Sequence, residues 1–208
     1  MRRAVICDFG GVLTTPLIDS FLHYQEQSGV SFEDVVKAMH RVTERTGKNP
    51  LYELEKGHLS EPEFLRSIEA EMGGGVDLTS LHELYFEHLR PNTEMIEFVR
   101  GLRVERGLRS ALLTNNVREW EPKWRAMLPE IDEVFEIVVD SAFVGMRKPD
   151  PPIYELTVER LGGGLRASDC VFIDDIDVNC EAARALGMAA VQFRSTEQAI
   201  ADVEAALA

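Results

Sequence analysis

Apolar positions follow two rhythms along this chain of 208 residues. Five short stretches, at 4–7, 110–113, 135–139, 170–173 and 188–193, are mostly apolar. Such stretches, too short for a buried helix, read as strands covered on both faces. Elsewhere apolar residues recur at helix spacing. Phe32, Val35, Val36 and Met39 do so behind Ser31, a good N-cap. Ser60 and Glu63 form a capping box before Phe64, Leu65 and Ile68, and Ser80 and Glu83 another before Leu84, Tyr85 and Leu89. A helix from Thr93 to about Glu105 follows Asn92, and a helical stretch carries Trp120 and Trp124. Further helices run through Ile153, Leu156 and Leu161, and through Ala182, Ala183 and Leu186 up to Gly187. Ser195 to Gln198 caps the last one.

The two rhythms are unevenly distributed. Between the first strand and about residue 89 there are only helical patterns; from Pro91 strands and helices alternate. Alternation at this spacing predicts βαβ units and a parallel sheet. The expected architecture is α/β, a doubly wound parallel-sheet core formed by 1–15 and 90–208. A small helical cap, 16–89, is expected to be inserted after strand one. Phe21, Tyr24, Tyr52 and Phe86 on that insert read as its core.

Composition narrows the class. Hydrophobic residues make up 45% of the chain, enough for one ordinary core, and the net charge of −14 argues against a nucleic-acid partner. Cys7, Cys170 and Cys180 show no metal-ligand spacing and read as reduced, buried thiols in a cytoplasmic protein. No apolar run approaches the length of a membrane span, and Met1-Arg2-Arg3 precedes a run too short for a signal peptide. The glycine triplets at 73–75 and 162–164 read as loop punctuation.

The candidate chemistry sits where strands end. Asp8, Thr114 and the pair Asp174-Asp175 each follow a buried run, and Lys148 lies in the loop after the third strand. In a parallel sheet these residues converge on one edge, where ligands bind. Gly10-Gly11 permits positive φ and close backbone approach. Three clustered carboxylates need a cation, and hard oxygen ligands select Mg²⁺. The Thr114 hydroxyl, the Asn115 N–H and Lys148 suit an anion. Together they describe a phosphate cradle, in which a carboxylate in line with phosphorus can form an aspartyl-phosphate.

Asp8-Phe9-Gly10-Gly11-Val12-Leu13-Thr14, Leu113-Thr114-Asn115-Asn116, Arg147-Lys148-Pro149-Asp150 and Phe172-Ile173-Asp174-Asp175 resemble the four motifs of the haloacid dehalogenase-like hydrolases. The forms are most similar to the phosphatase domain of bifunctional epoxide hydrolases and to several bacterial sugar phosphatases. All four occur in order and frame essentially the whole chain. The resemblance implies Asp8 as nucleophile and Mg²⁺ ligand, with Gly10 giving a backbone carbonyl to the metal. It implies Thr114 and Asn115 as phosphate-binding and Lys148 as neutralising Asp8 and the phosphate. Asp175 is then the direct carboxylate ligand, with Asp174 close behind or acting through water. The implied substrate is a small phosphomonoester, chosen by residues of the cap.

One position departs from the family pattern. Most of its phosphatases carry a second aspartate two residues after the nucleophile, as general acid and base; here that residue is Gly10. The family's 2-haloacid dehalogenases also lack this acid, because halide leaves without a proton, and form the alternative reading. A non-catalytic protein retaining the fold is the third, and intact Asp8, Thr114, Lys148 and Asp175 argue against it. Asp177 and Asn179 read as helix N-terminal caps, or, by family position, as neighbours of the metal pair. Arg147 is open to two readings, a substrate contact or a solvated side chain. His23, His40, His58, His82 and His88 are scattered over the insert and read as surface or cap residues.

Overall fold

The computed structural model describes residues 2–73 and 75–208. Met1, of the basic start, and Gly74, of the first glycine triplet, lie outside the described residues. Strand β1 (Ala4–Cys7) leads into five helices, α1 (Leu17–Ser28), α2 (Phe32–Thr46), α3 (Pro50–Glu55), α4 (Glu61–Glu71) and α5 (Leu81–His88). The chain then alternates through α6 (Thr93–Val104), β2 (Arg109–Thr114), α7 (Glu121–Met127), α8 (Ile131–Val134) and β3 (Ile137–Asp140). It continues with α9 (Ser141–Val144), α10 (Pro151–Leu161), β4 (Cys170–Asp174), α11 (Asp177–Ala185), β5 (Ala189–Gln192) and α12 (Thr196–Leu207).

The strands form one parallel sheet in the order β3-β2-β1-β4-β5. Both faces are covered, which explains why the strands are apolar throughout rather than alternating. Val5 and Cys7 point into a cluster with Met95, Val99 and Leu102 of α6 and Ala199 and Val203 of α12. Ala4 and Ile6 point the other way, into a cluster with Ile153, Tyr154 and Leu161 of α10 and Cys180 and Ala183 of α11. The strand order reverses at β1, because β2 and β3 extend to one side and β4 and β5 to the other. Such a switch point leaves a crevice at the carboxyl ends of the strands.

Helices α1–α5 gather around a third cluster that includes Tyr24, Ala38, Val42, Leu54, Phe64 and Ile68. The strands of chain entering and leaving this group are tied together. Thr15 N–H donates to the Arg90 carbonyl (2.8 Å), and Asn92 N–H to that of Leu13 (2.8 Å). The Ser31, Ser60 and Ser195 caps form as the sequence predicts. The Ser80–Glu83 box does not: Ser80 has helical dihedrals (φ −80°, ψ −6°), so its side chain does not turn back over the first turn of α5. Strand β3 begins at Ile137, two residues later than its apolar run, because Phe135 closes the short helix α8 and packs in the core instead.

Candidate active site at the carboxyl edge of the sheet

Register alone brings the acidic residues together. Cys7 pairs with Ile173 on one side and Leu112 on the other, so the next residues, Asp8 and Asp174, stand side by side. Asp8 N–H continues the ladder by donating to the Ile173 carbonyl (2.9 Å). One carboxylate oxygen from each of Asp8, Asp174 and Asp175 falls within 4.8 Å of the others. Lys148 reaches this group from the loop after α9, with Nζ 2.7 Å from Asp8 Oδ1 and 2.6 Å from Asp174 Oδ2. Its side chain is only 1% exposed.

Charges buried this deeply perturb one another. Desolvation pushes Asp8 up to about 8, against the pull of Lys148 and with the push of Asp174 and Asp175. Burial opposes the Lys148 charge, but Asp174 and Asp8 more than offset it and hold the ammonium above the usual lysine range. Burial, with Asp174 next, raises Asp175. One lysine thus faces three carboxylates, a donor set short of positive charge and made of hard oxygens. It fits a small divalent cation such as Mg²⁺.

The three carboxylates are not equivalent. Asp174 is fully buried and saturated: Lys148 Nζ and Asn179 Nδ2 donate to Oδ2 (2.6 and 3.2 Å), and Ile176 N–H and Asn179 Nδ2 to Oδ1 (2.9 and 3.0 Å). Asp175 is only partly buried and lines the open pocket with Asp8 and Gly10. The glycine loop is shaped by the same residue. Gly11 has φ 74°, and a Cβ there would fall 2.5 Å from Asp175 Oδ2. The left-handed glycine is therefore Gly11, not Gly10.

Thr114 is buried at the end of β2, its hydroxyl turned to the Asn115 carbonyl at 3.4 Å. The Asn115 side chain clamps the Lys148 backbone, donating from Nδ2 to its carbonyl (2.9 Å) and accepting at Oδ1 from its N–H (2.8 Å). Anion binding by Asn115 would therefore fall to its backbone N–H. All seven residues singled out for the site, Asp8, Gly10, Thr114, Asn115, Lys148, Asp174 and Asp175, lie at this one edge.

Of the two readings of Asn179, the structure bears out the one beside the Asp174-Asp175 pair. Asn179 is no helix cap: it is buried, braces Asp174, and its carbonyl accepts from Tyr154 Oη (3.0 Å). Asp177 is exposed, 3.7 Å from Arg184. Arg147 is neither solvated nor free: Nε is 2.6 Å from Glu55 Oε2 on α3, and the guanidinium lies 3.9 Å from the centre of the Tyr52 ring. Gly57 shows how closely the α3 end rests on the core, since a Cβ there would collide with the Ala142 carbonyl. His23 and His88, far apart in sequence, stack at 3.3 Å beside Glu87 on the outer face of α1 and α5. No local pattern announces contacts between segments so distant in the chain.

The switch-point sheet with carboxylates at its carboxyl edge defines an α/β protein with a candidate metal-dependent site. A haloacid dehalogenase-like hydrolase family model matches residues 2–187, and the chain belongs to that family. It is 30% identical to acyl-CoA dehydrogenase family member 10 of Mus musculus over 99% of its own length and 19% of that protein's. It is 24% identical to bifunctional epoxide hydrolase 2 of Rattus norvegicus, covering 97% of this chain and 38% of that one. The chain thus spans well under half of these two relatives. Against sesquiterpene phosphatase astK of Aspergillus oryzae it is 26% identical, over 89% of this chain and 87% of that protein. Its fold matches a predicted HAD-like family hydrolase from Porphyromonas gingivalis, with TM-score 0.76 and 21% identity over 100% and 98% of the two chains. It also matches a Bacteroides thetaiotaomicron family enzyme in complex with magnesium and inorganic phosphate, with TM-score 0.66 and 23% identity over 92% and 94%. Among the described residues no helix is long and apolar enough to cross a membrane.

Proposed function

We propose that this chain is a Mg²⁺-dependent phosphomonoester hydrolase that works through an aspartyl-phosphate on Asp8. The observation that carries this reading is the convergence of three carboxylates within 4.8 Å around a single buried lysine. Relatives named as phosphatases, and a similar fold crystallised with magnesium and phosphate, support it.

In this reading Asp8, the Gly10 carbonyl and Asp175 hold the metal, and Asp174 acts from behind by fixing Lys148. When bound, Mg²⁺ would supply positive charge against the phosphate oxygens and relieve repulsion among the carboxylates. The remaining work belongs to the chain. The Thr114 hydroxyl, the Asn115 N–H and Lys148 Nζ orient the phosphate. A carboxylate oxygen of Asp8 attacks phosphorus, and the bond to the ester oxygen breaks with its electron pair going to that oxygen. The leaving alcohol takes a proton from water, since Gly10 offers none. Water then attacks the aspartyl-phosphate, releasing inorganic phosphate and the Asp8 carboxylate. Residues 16–89 act as the cap over this pocket, and 1–15 with 90–208 as the core. Three unpaired, buried cysteines support a cytoplasmic setting.

Gly10 favours a second reading, a 2-haloacid dehalogenase on the same nucleophile. The acidic triad weighs against it, because halide displacement needs no metal. Incubating the protein with 4-nitrophenyl phosphate and, separately, 2-chloropropionate decides between them. Phosphate release that requires Mg²⁺ is expected; chloride release without phosphate release would overturn the proposal.

A further inference from the structure

The pocket over Asp8 has an apolar neighbour. A cavity of about 290 Å³ lies between α2, α3, α4 and the Asn115–Trp120 segment, and it shares Glu55 and Asn115 with the pocket containing Asp8 and Gly10. Its walls are mainly aliphatic and aromatic, among them Val35, Met39, Leu51, Phe64, Leu65 and Trp120. Apart from Tyr85, whose hydroxyl bonds to no group among the described residues, the polar side chains on those walls each bond to protein. Glu55 accepts from Arg147, Glu61 from Trp120 Nε1 (2.7 Å), and Asn116 from Val117 N–H (2.8 Å), while Asn115 holds the Lys148 backbone. A sugar or polyol placed there would give up its hydrogen bonds to water for little in return. Hydrocarbon placed there would gain from leaving water.

We infer that this cavity receives the leaving group of the substrate, and that the substrate class is phosphomonoesters of apolar alcohols or phenols. The inference rests on the phosphatase reading above. At about 290 Å³ the cavity exceeds the roughly 150 Å³ that accommodates a benzene ring, which leaves room for a ring carrying an alkyl chain. The phosphate end is fixed at the sheet edge by charge and metal; the hydrocarbon end is selected by volume and dryness. The cap segment's partly buried helix face, Val35 and Met39 on α2, is then a lining rather than an incompletely packed core.

A series of 4-n-alkylphenyl phosphates tests this, because alkyl length changes while leaving-group pKa stays nearly constant. With Mg²⁺ present, kcat/KM should rise by roughly fourfold per added methylene until the cavity is full, then level off. A 4-(2-hydroxyethoxy)phenyl phosphate control should fall well below its hydrocarbon counterpart of equal length. Met39→Trp, which fills the cavity, should reduce the ratio of kcat/KM for the hexylphenyl and phenyl esters at least tenfold; Val35→Phe serves as a second filling variant. Turnover with a flat or inverted length dependence would overturn the inference and leave the phosphatase reading standing. If no ester is turned over, that reading fails, and calorimetric titration with 4-hexylphenol decides the cavity. Binding weakened in Met39→Trp supports it, and no binding overturns it.

Discussion

Lys148 and Asp174 form an ion pair of 2.6 Å with essentially no access to solvent, their side chains 1% and 0% exposed. Asn179 completes the arrangement from α11. This pair fixes the lysine that faces Asp8, whereas Asp175 stays open to the pocket. The two neighbouring aspartates should therefore respond differently to substitution. Asp174→Asn removes one of the two carboxylates paired with the buried Lys148, leaving Asp8 at 2.7 Å, and should lower unfolding stability by about 1–3 kcal/mol. Asp175→Ala removes a carboxylate that its neighbours repel, so stability in EDTA should change little while Mg²⁺ affinity falls at least tenfold. Urea melts and isothermal titration separate the two. Equal Mg²⁺ affinity in Asp175→Ala and the parent would show the ligand assignment to be wrong.

Asp8→Asn tests the nucleophile. Asparagine is nearly isosteric, and the buried carboxylate it replaces is held well above its ordinary pKa by desolvation, so folding tolerates the change. Phosphate release should drop to the uncatalysed level with little change in Tm. Retained turnover in the folded variant would sink the mechanism.

Much of this was legible in the chain because the site lies at the ends of buried strands. Ala4 to Cys7 and Cys170 to Ile173 are apolar without interruption because helices cover both faces, so Asp8 and Asp174 stand out where each run stops. What stayed hidden depends on distant segments. Glu55 and Arg147 are 92 residues apart, and Glu61 and Trp120 are 59 apart. Neither pairing leaves a periodic trace. Asn179 was half legible: its spacing suits helix capping as well as bracing Asp174, and only the family position pointed to the second. The cavity between α2, α3, α4 and the Asn115–Trp120 segment was invisible for a related reason: a lining face and a packing face have the same apolar period.

Asp140, at the end of β3, adds a pH dependence unrelated to catalysis. One oxygen accepts from Ala142 N–H (2.9 Å), while Oδ2 is buried without a partner. Burial pushes its pKa up to about 7. Below about pH 4 both folded and unfolded states hold this proton and the group is neutral in its effect. As pH rises, the unfolded chain ionises first, so stability is lost between about pH 4 and 7 and stays lost above. Asp140→Asn keeps the cap to Ala142 and removes the charge, at the cost of one unpaired donor. It should gain on the order of 1–3 kcal/mol at pH 8 and nothing at pH 4. Denaturant melts at the two pH values check this; an equal effect at both would mean that Asp140 ionises normally.

Addition of Mg²⁺ should raise the Tm of the parent, since a ligand held only by the folded state stabilises it. The rise should be largest at alkaline pH, where Asp8 is ionised and the repulsion within the triad is greatest. EDTA should abolish both the shift and turnover. A Tm indifferent to Mg²⁺ at millimolar levels would count against the triad as a metal site.

Gly10 stands where the resemblance to haloacid dehalogenase-like phosphatases implies an aspartate, and in the phosphatase reading its consequence is kinetic. Without a positioned acid, the leaving group departs as an anion or takes its proton from water. The rate should therefore depend steeply on leaving-group pKa, with aryl phosphates turned over well and primary alkyl phosphates slowly. Dephosphorylation of Asp8 should lag as well, because the attacking water lacks a base. The backbone permits the missing residue to be restored: the left-handed conformation belongs to Gly11, φ 74°, and Gly10 is not among the positive-φ glycines. Gly10→Asp should then speed esters with poor leaving groups by up to roughly 10²–10⁴ and good ones much less. Gly11→Ala, by contrast, should damage the loop, since its Cβ meets Asp175 Oδ2 at 2.5 Å. The measurement is the slope of log(kcat/KM) against leaving-group pKa for the parent and Gly10→Asp. A shallow slope in the parent would mean that another acid already donates the proton. Glu55 is then the group to replace: it reaches the same pocket from α3 with its pKa raised by burial. Glu55→Gln should steepen the slope only in that case.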